Sequence, residues 1–157
     1  YADSFEVKEE IKEESVLKDA RLSLTDGIMD IRISSRDLGN QNAAALLDKF
    51  SQITSDYEFF RLADSLRFLT EDVADIRRLF ESFPENKDLF STGLAKIKIS
   101  IPRDQNGSDV VSYVAEVLHR NGIELVDAIF GQDNTIIVLN EKDASRAYEI
   151  LRSQIAR

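Results

Sequence analysis

The chain is 157 residues long, 43% hydrophobic and 31% charged, which is enough apolar material for one ordinary domain or two small ones and too much for a disordered chain. Its 29 acidic side chains against 20 Lys and Arg give a formal net charge of -9, which repels phosphate backbones and argues against direct nucleic-acid or anionic-membrane binding. The absence of cysteine excludes a disulfide frame and a thiolate metal site and points to a reducing, cytoplasmic setting.

In chain order, residues 1–15 carry many charges and few apolar side chains, Phe5, Val7 and Ile11 among them, and read as a short acidic helix or linker with little to bury. Because residue 1 is Tyr and not Met, the natural start is expected upstream. Ala20 to Leu24 and Ile28 to Ser34 read as two strands. Between them, Thr25-Asp26-Gly27 predicts a tight turn, since Gly tolerates positive φ, so the two strands are expected to pair as a hairpin. After the polar opener Asn40-Gln41-Asn42, Ala43, Leu46, Leu47 and Phe50 fall at helical spacing. Tyr57 to Leu62 and Leu66 to Leu69 read as strands. Val73, Ile76, Phe80 and Phe83 then predict a second helix, with Thr70 as its cap and Pro84 as its end.

The scheme repeats. A short lead-in at Asp88 to Ser91 precedes a strand from Leu94 to Ile101, and Val110, Tyr113, Val114, Val117 and Leu118 mark a helix that Asn121-Gly122 stops. Ile123 to Phe130 and Thr135 to Leu139 form the next strand pair. Ala144, Ala147, Tyr148, Leu151 and Ile155 share one face of a closing helix. Laid over itself, the chain matches Ile31 to Asp37 with Ile97 to Asp104 at an offset of 66 to 67 residues, and Gly27-Ile28 with Gly93-Leu94. Matches that keep their order while the offset drifts are what duplication followed by loop insertion leaves. The expected fold class is therefore α+β, with two ferredoxin-like modules over 16–83 and 88–157. Each has a four-stranded antiparallel sheet and two helices in the order ββαββα, and residues 1–15 precede them.

The stretch Ala95 to Pro102, a polar loop with Gly107, a helix ending at Arg120-Asn121-Gly122 and the strand Ile123-Glu124-Leu125-Val126 together resemble an ACT domain. Ile136 to Ala144 is similar to that family's third strand and the approach to its second helix, and the first copy has the same layout. The whole, with Val16 to Leu24, also resembles archaeal predicted regulators of amino-acid metabolism that contain ACT domains. The chain departs from the family pattern in two places. Leu38-Gly39 and Asn106-Gly107 stand where the family usually has Pro-Gly, and no closing strand follows the last helix.

The resemblance implies a small ligand, usually an amino acid, where the loop after a module's first strand meets a strand of its neighbour. The residues support the same loops on chemical grounds. Unpaired amides at the helix start near Gly107 and Ser108 suit a carboxylate, Asp104 or Asp37 an ammonium, and Arg103 or Arg36 a second acid group, with Gly39, Asn40 and Asn106 shaping the turns. The competing reading is that Ser108 caps its own helix and each Arg-Asp pair is an exposed ion pair.

No catalytic or metal-binding set is expected. His119 is the only histidine, and no Gly-x-Ser-x-Gly, phosphate loop or dinucleotide glycine pattern occurs. Tyr57, Phe59 and Phe60 could stack RNA bases, but the charge opposes it. No apolar run approaches the roughly 20 residues needed to cross a bilayer. The sequence thus predicts a non-enzymatic, cofactor-free regulatory module that senses an amino acid and forms homodimers, since a sheet edge or an exposed apolar face must be protected. A purely structural dimerisation module is the alternative, and a piece of a transcriptional regulator whose DNA-binding part lies elsewhere is a third reading.

Overall fold

The computed structural model describes residues 17–38, 43–81, 83, 89–101, 107–130 and 134–155, so the acidic helix expected over 1–15 lies outside the described residues. The elements are β1 (Arg21–Ser34), α1 (Ser35–Leu38), α2 (Ala43–Ile53), β2 (Tyr57–Arg61), β3 (Ser65–Glu71), α3 (Ala74–Arg78), β4 (Phe90–Ser100), α4 (Gly107–Arg120), β5 (Leu125–Phe130), β6 (Asn134–Asn140), a 3-10 turn at Glu141–Asp143 and α5 (Ala144–Ile155). The architecture is α+β with antiparallel strand pairs.

Two compact units divide the chain. One is continuous, Asp26–Leu94; the other is made of the residues up to Thr25 together with those from Ala95 onward. The continuous unit is therefore nested in the sequence of the other, and both β1 and β4 pass from one to the other.

In the nested unit the strand order is β2-β3-β1-β4. β1 pairs with β3 from Ile28 opposite Glu71 to Ser34 opposite Ser65, and β3 pairs with β2 from Tyr57 opposite Thr70 to Arg61 opposite Leu66. Strand alternation sends Met29, Ile31 and Ile33 of β1 and Leu66 and Phe68 of β3 to one face, where they pack with Leu46 and Phe50 of α2 and with Ile76, Phe80, Phe83 and Leu89. Phe50 stacks on Phe68 with ring centroids 4.6 Å apart and planes 9° apart, and Phe80 meets Phe68 edge-on at 6.1 Å. Ile28, Asp30 and Leu69 alternate to the opposite face and are buried as well.

The outer unit has the order β1-β4-β6-β5. Its core gathers Leu17 and Ala20, Ile97 and Ile99 of β4, Val110, Tyr113, Val114, Val117 and Leu118 of α4, Ile137 and Leu139 of β6, and Ala147 and Leu151 of α5. Leu22 and Leu24 of β1 pack against the same cluster. The Tyr113 hydroxyl donates to Gln154 Oε1 at 2.7 Å, giving this tall side chain a partner at the edge of the core. The expected stop at Asn121-Gly122 is realised in full. Gly122 takes φ +77°, its amide donates to the His119 carbonyl at 3.0 Å, and the Ile123 amide donates to the Leu118 carbonyl at 2.9 Å, the paired bonds of a glycine-terminated helix. β5 pairs with β6 through a register shift between Leu125 and Asp127, and this irregularity turns Val126 out to solvent at 51% exposure.

Two expectations are corrected. Thr25-Asp26-Gly27 makes no hairpin, because β1 runs unbroken from Arg21 to Ser34 with Gly27 at φ +61° inside it. Positive φ serves an irregularity within a strand as well as a turn. The lead-in Ala20 to Leu24 therefore packs with the elements of the second copy and not with those of the first. The helix after β3 is also shorter than its periodicity implies: α3 spans only Ala74–Arg78, Val73 holds the N-cap position with no side-chain bond, and Thr70 stays in β3. Phe80 and Phe83 still reach the core from the turns that follow.

Candidate functional site

Each unit presents one junction between its first core strand and a helix. In the nested unit β1 ends at Ser34 and the single turn α1 follows, pinned where the Ser35 amide donates to the Asp64 carbonyl at 2.8 Å. Arg36 is exposed on this turn and Asp37 follows it, while Gly39 and Asn40 lie outside the described residues. In the outer unit β4 ends at Ser100 and Ile101 packs against the core. Arg103, Asp104 and Asn106 lie outside the described residues, and α4 begins at Gly107. Ser108 and Asp109 are exposed on its first turn, and the buried Val110 anchors that turn to the core. Of the nine sequence candidates, the structure thus places Arg36 and Asp37 on one helical turn and Gly107 and Ser108 at one helix start.

The two junctions differ in what they offer an anion. α4 has 14 residues, long enough for its aligned peptide dipoles to leave partial positive charge at the first turn. Asp109 already supplies a negative charge there, so an incoming carboxylate must compete with it. α1 is a single turn with little dipole, and its contribution is the exposed guanidinium of Arg36.

Sequence reasoning missed a charged cluster on the far face of the nested sheet. Arg67 Nε donates to both Asp30 oxygens, at 3.0 and 3.1 Å, and Nη2 donates to Oδ2 at 2.8 Å. Arg32 reaches the same Oδ2 at 3.5 Å, and the Arg67 guanidinium lies 6.0 Å from the centre of the Phe60 ring. Asp30 is 5% exposed, and in the outer unit Lys96 is 2% exposed. The signal was present as an acid alternating with Ile28 and Arg32 in a stretch whose other alternation is Met29, Ile31 and Ile33. These charged donors tie the Asp30 carboxylate of β1 to β3.

His119 bonds through Nδ1 to Glu124 at the exposed end of α4. Among the described residues no group of three or more His, Cys, Asp or Glu gathers to hold a metal ion, and no helix is long and apolar enough to cross a membrane.

No protein-family model matches the chain, and no curated protein matches it in sequence. Solved structures do match in fold. An aspartate kinase of Clostridium acetobutylicum superposes with a TM-score of 0.65 at 13% identity over 85% of this chain, which spans 34% of the kinase. The ligand-free regulatory subunit of aspartate kinase from Thermus thermophilus superposes at 0.57 with 8% identity, over 85% of this chain and 97% of that one. The aspartokinase III of E. coli in complex with aspartate and ADP superposes at 0.59 with 14% identity, over 87% of this chain and 33% of that one. At such identities the likeness is one of fold.

Proposed function

We propose that the chain is a non-catalytic regulatory module of the ACT type that senses a small molecule, an amino acid by its chemistry, and acts in the control of amino-acid metabolism. The observation that carries this reading is the fold likeness to a chain that is itself an aspartate-kinase regulatory subunit, matched over 97% of its length. The ACT-like outline of Ala95 to Val126 in the sequence agrees with it.

In this reading the ligand's carboxylate lies at the start of α4, near Gly107 and Ser108, with Asn106 shaping the turn, Asp104 taking the ammonium and Arg103 any second acid group. Arg36, Asp37, Gly39 and Asn40 form the corresponding place after β1. A strand from a second module of the same kind closes the site, and two copies of the chain pair as a homodimer. No cofactor and no metal take part. Regulation follows if the ligand binds one arrangement of modules more tightly than another, since only differential affinity shifts an equilibrium.

A thermal-shift screen of the full chain against the twenty amino acids tests the proposal. A ligand present at 100 times its dissociation constant adds about 2.7 kcal/mol to the folded state, a rise of several degrees in melting temperature for a chain of this size. Asp104→Ala should abolish the rise, and Arg103→Ala should weaken it for a ligand that carries a second acid group. Silence toward all twenty would overturn the sensing reading and leave a dimerisation module.

A further inference from the structure

The nested unit enters and leaves through neighbouring strands. β1 and β4 lie side by side, and within this unit the Arg32 amide donates to the Leu89 carbonyl at 3.0 Å. Folding of Asp26–Leu94 therefore brings together the two ends from which the outer unit continues. The outer unit depends on that closure, because its core joins Leu17 and Ala20 from one piece of chain to Ile97, Val114, Ile137 and Leu151 from the other.

From this connectivity we infer that the two units open in a fixed order, the outer one first, so that the outer unit is a switchable element tethered by a nested unit that stays folded. Opening the outer unit alone leaves the nested unit continuous, with unconstrained ends. Opening the nested unit alone makes the outer unit hold the ends of a flexible loop of about 70 residues, a closure that disfavours this state on the order of 500-fold. Amides of the outer unit thus exchange with solvent through a partial opening, and those of the nested unit only through global unfolding. In the unliganded chain this order leaves a segment that can lose and regain its packing without the molecule coming apart.

Native-state hydrogen exchange on the full chain, across urea concentrations below the unfolding transition, tests the order. Amides of Val114 in α4 and Ile137 in β6 should exchange at least tenfold faster than those of Ile31 in β1 and Phe68 in β3. A second reading comes from Ile31→Val, a conservative change in the nested core. It should speed exchange at Phe68 roughly two- to tenfold and leave Val114 and Ile137 unmoved. Nested amides that exchange first or together with the outer ones, or an Ile31→Val effect of equal size in both units, would overturn the inference.

Discussion

Arg67 grips Asp30 with three hydrogen bonds of 2.8 to 3.1 Å while Arg67 itself stands directly across the ladder from Arg32. Like charges opposite one another on adjacent strands repel, and the carboxylate two residues along β1 offsets that repulsion. Asp30 can be buried because its oxygens are met by charged donors; without them a buried carboxylate would be costly.

Asp30→Ala should therefore be among the most damaging substitutions in the nested unit. It takes the carboxylate from a guanidinium side chain that is only 12% exposed, and breaking a buried pair by removing one partner costs about 3–5 kcal/mol. Urea denaturation measures it. The double change Asp30→Leu with Arg67→Met should recover most of the loss, because paired apolar replacements avoid the uncompensated charge. An Asp30→Ala cost below about 1 kcal/mol would show the pair to be dispensable.

Phe50 joins α2 to the sheet by stacking on Phe68 and is fully buried. Phe50→Ala should cost about 3–5 kcal/mol, and Phe50→Leu clearly less because more of the cavity stays filled. Chemical denaturation with the slope held constant checks both.

At Gly122 a Cβ would meet nothing within 4 Å, yet φ is +77°. Gly122→Ala should lower stability by about 1–2 kcal/mol from backbone conformation alone, and Gly122→Asn by less, since Asn visits this region more readily. Melting temperatures of the two variants rank the effect; equal values would argue against a conformational origin.

Asp72 accepts from Arg77 Nε at 2.6 Å and from Nη2 at 2.9 Å, and this bonding holds its carboxyl below the ordinary Asp value of 3.8 against a smaller opposing effect of burial. A depressed carboxylate stabilises the fold above its unfolded value and loses that contribution as pH falls through the folded one. Asp72→Asn should remove a few tenths of a kcal/mol, about the worth of an exposed pair, at pH 6, and progressively less as pH falls below the ordinary Asp range. Denaturation midpoints across this pH range check it, and a cost that does not shrink as pH falls would point to another cause.

The helices and most strands were legible because their apolar spacing is clean: Ala43 to Phe50, Val110 to Leu118 and Ala144 to Ile155 each mark one face of a helix that the structure contains. β1 was misread for a physical reason. Its inward residues are even-numbered at Ala20, Leu22 and Leu24 and odd-numbered at Met29, Ile31 and Ile33. The Asp26-Gly27 pair between the two sets suggests a turn, but positive φ at Gly27 serves an irregularity within a strand equally well. Burial in two different cores decides between them, and spacing alone does not contain that information. Thr70 resembled a cap because hydroxyls favour that place, whereas its side chain is buried in β3 beside Met29. Of the candidate site, the helix start at Gly107 and Ser108 was legible from the loop chemistry. The Asp30–Arg67 lock was not, since the two residues are 37 positions apart and only strand register brings them together.

The unbroken course of β1 past Gly27 bears on how this gene can be divided. The module boundary expected from the letters and the division of the packing do not coincide, so a shortened polypeptide beginning after residue 87 would arrive without Leu17, Ala20, Leu22 and Leu24. Expressed alone, such a half would expose the floor of its own interior, and it would be expected to precipitate or to borrow the missing strand from a sister molecule.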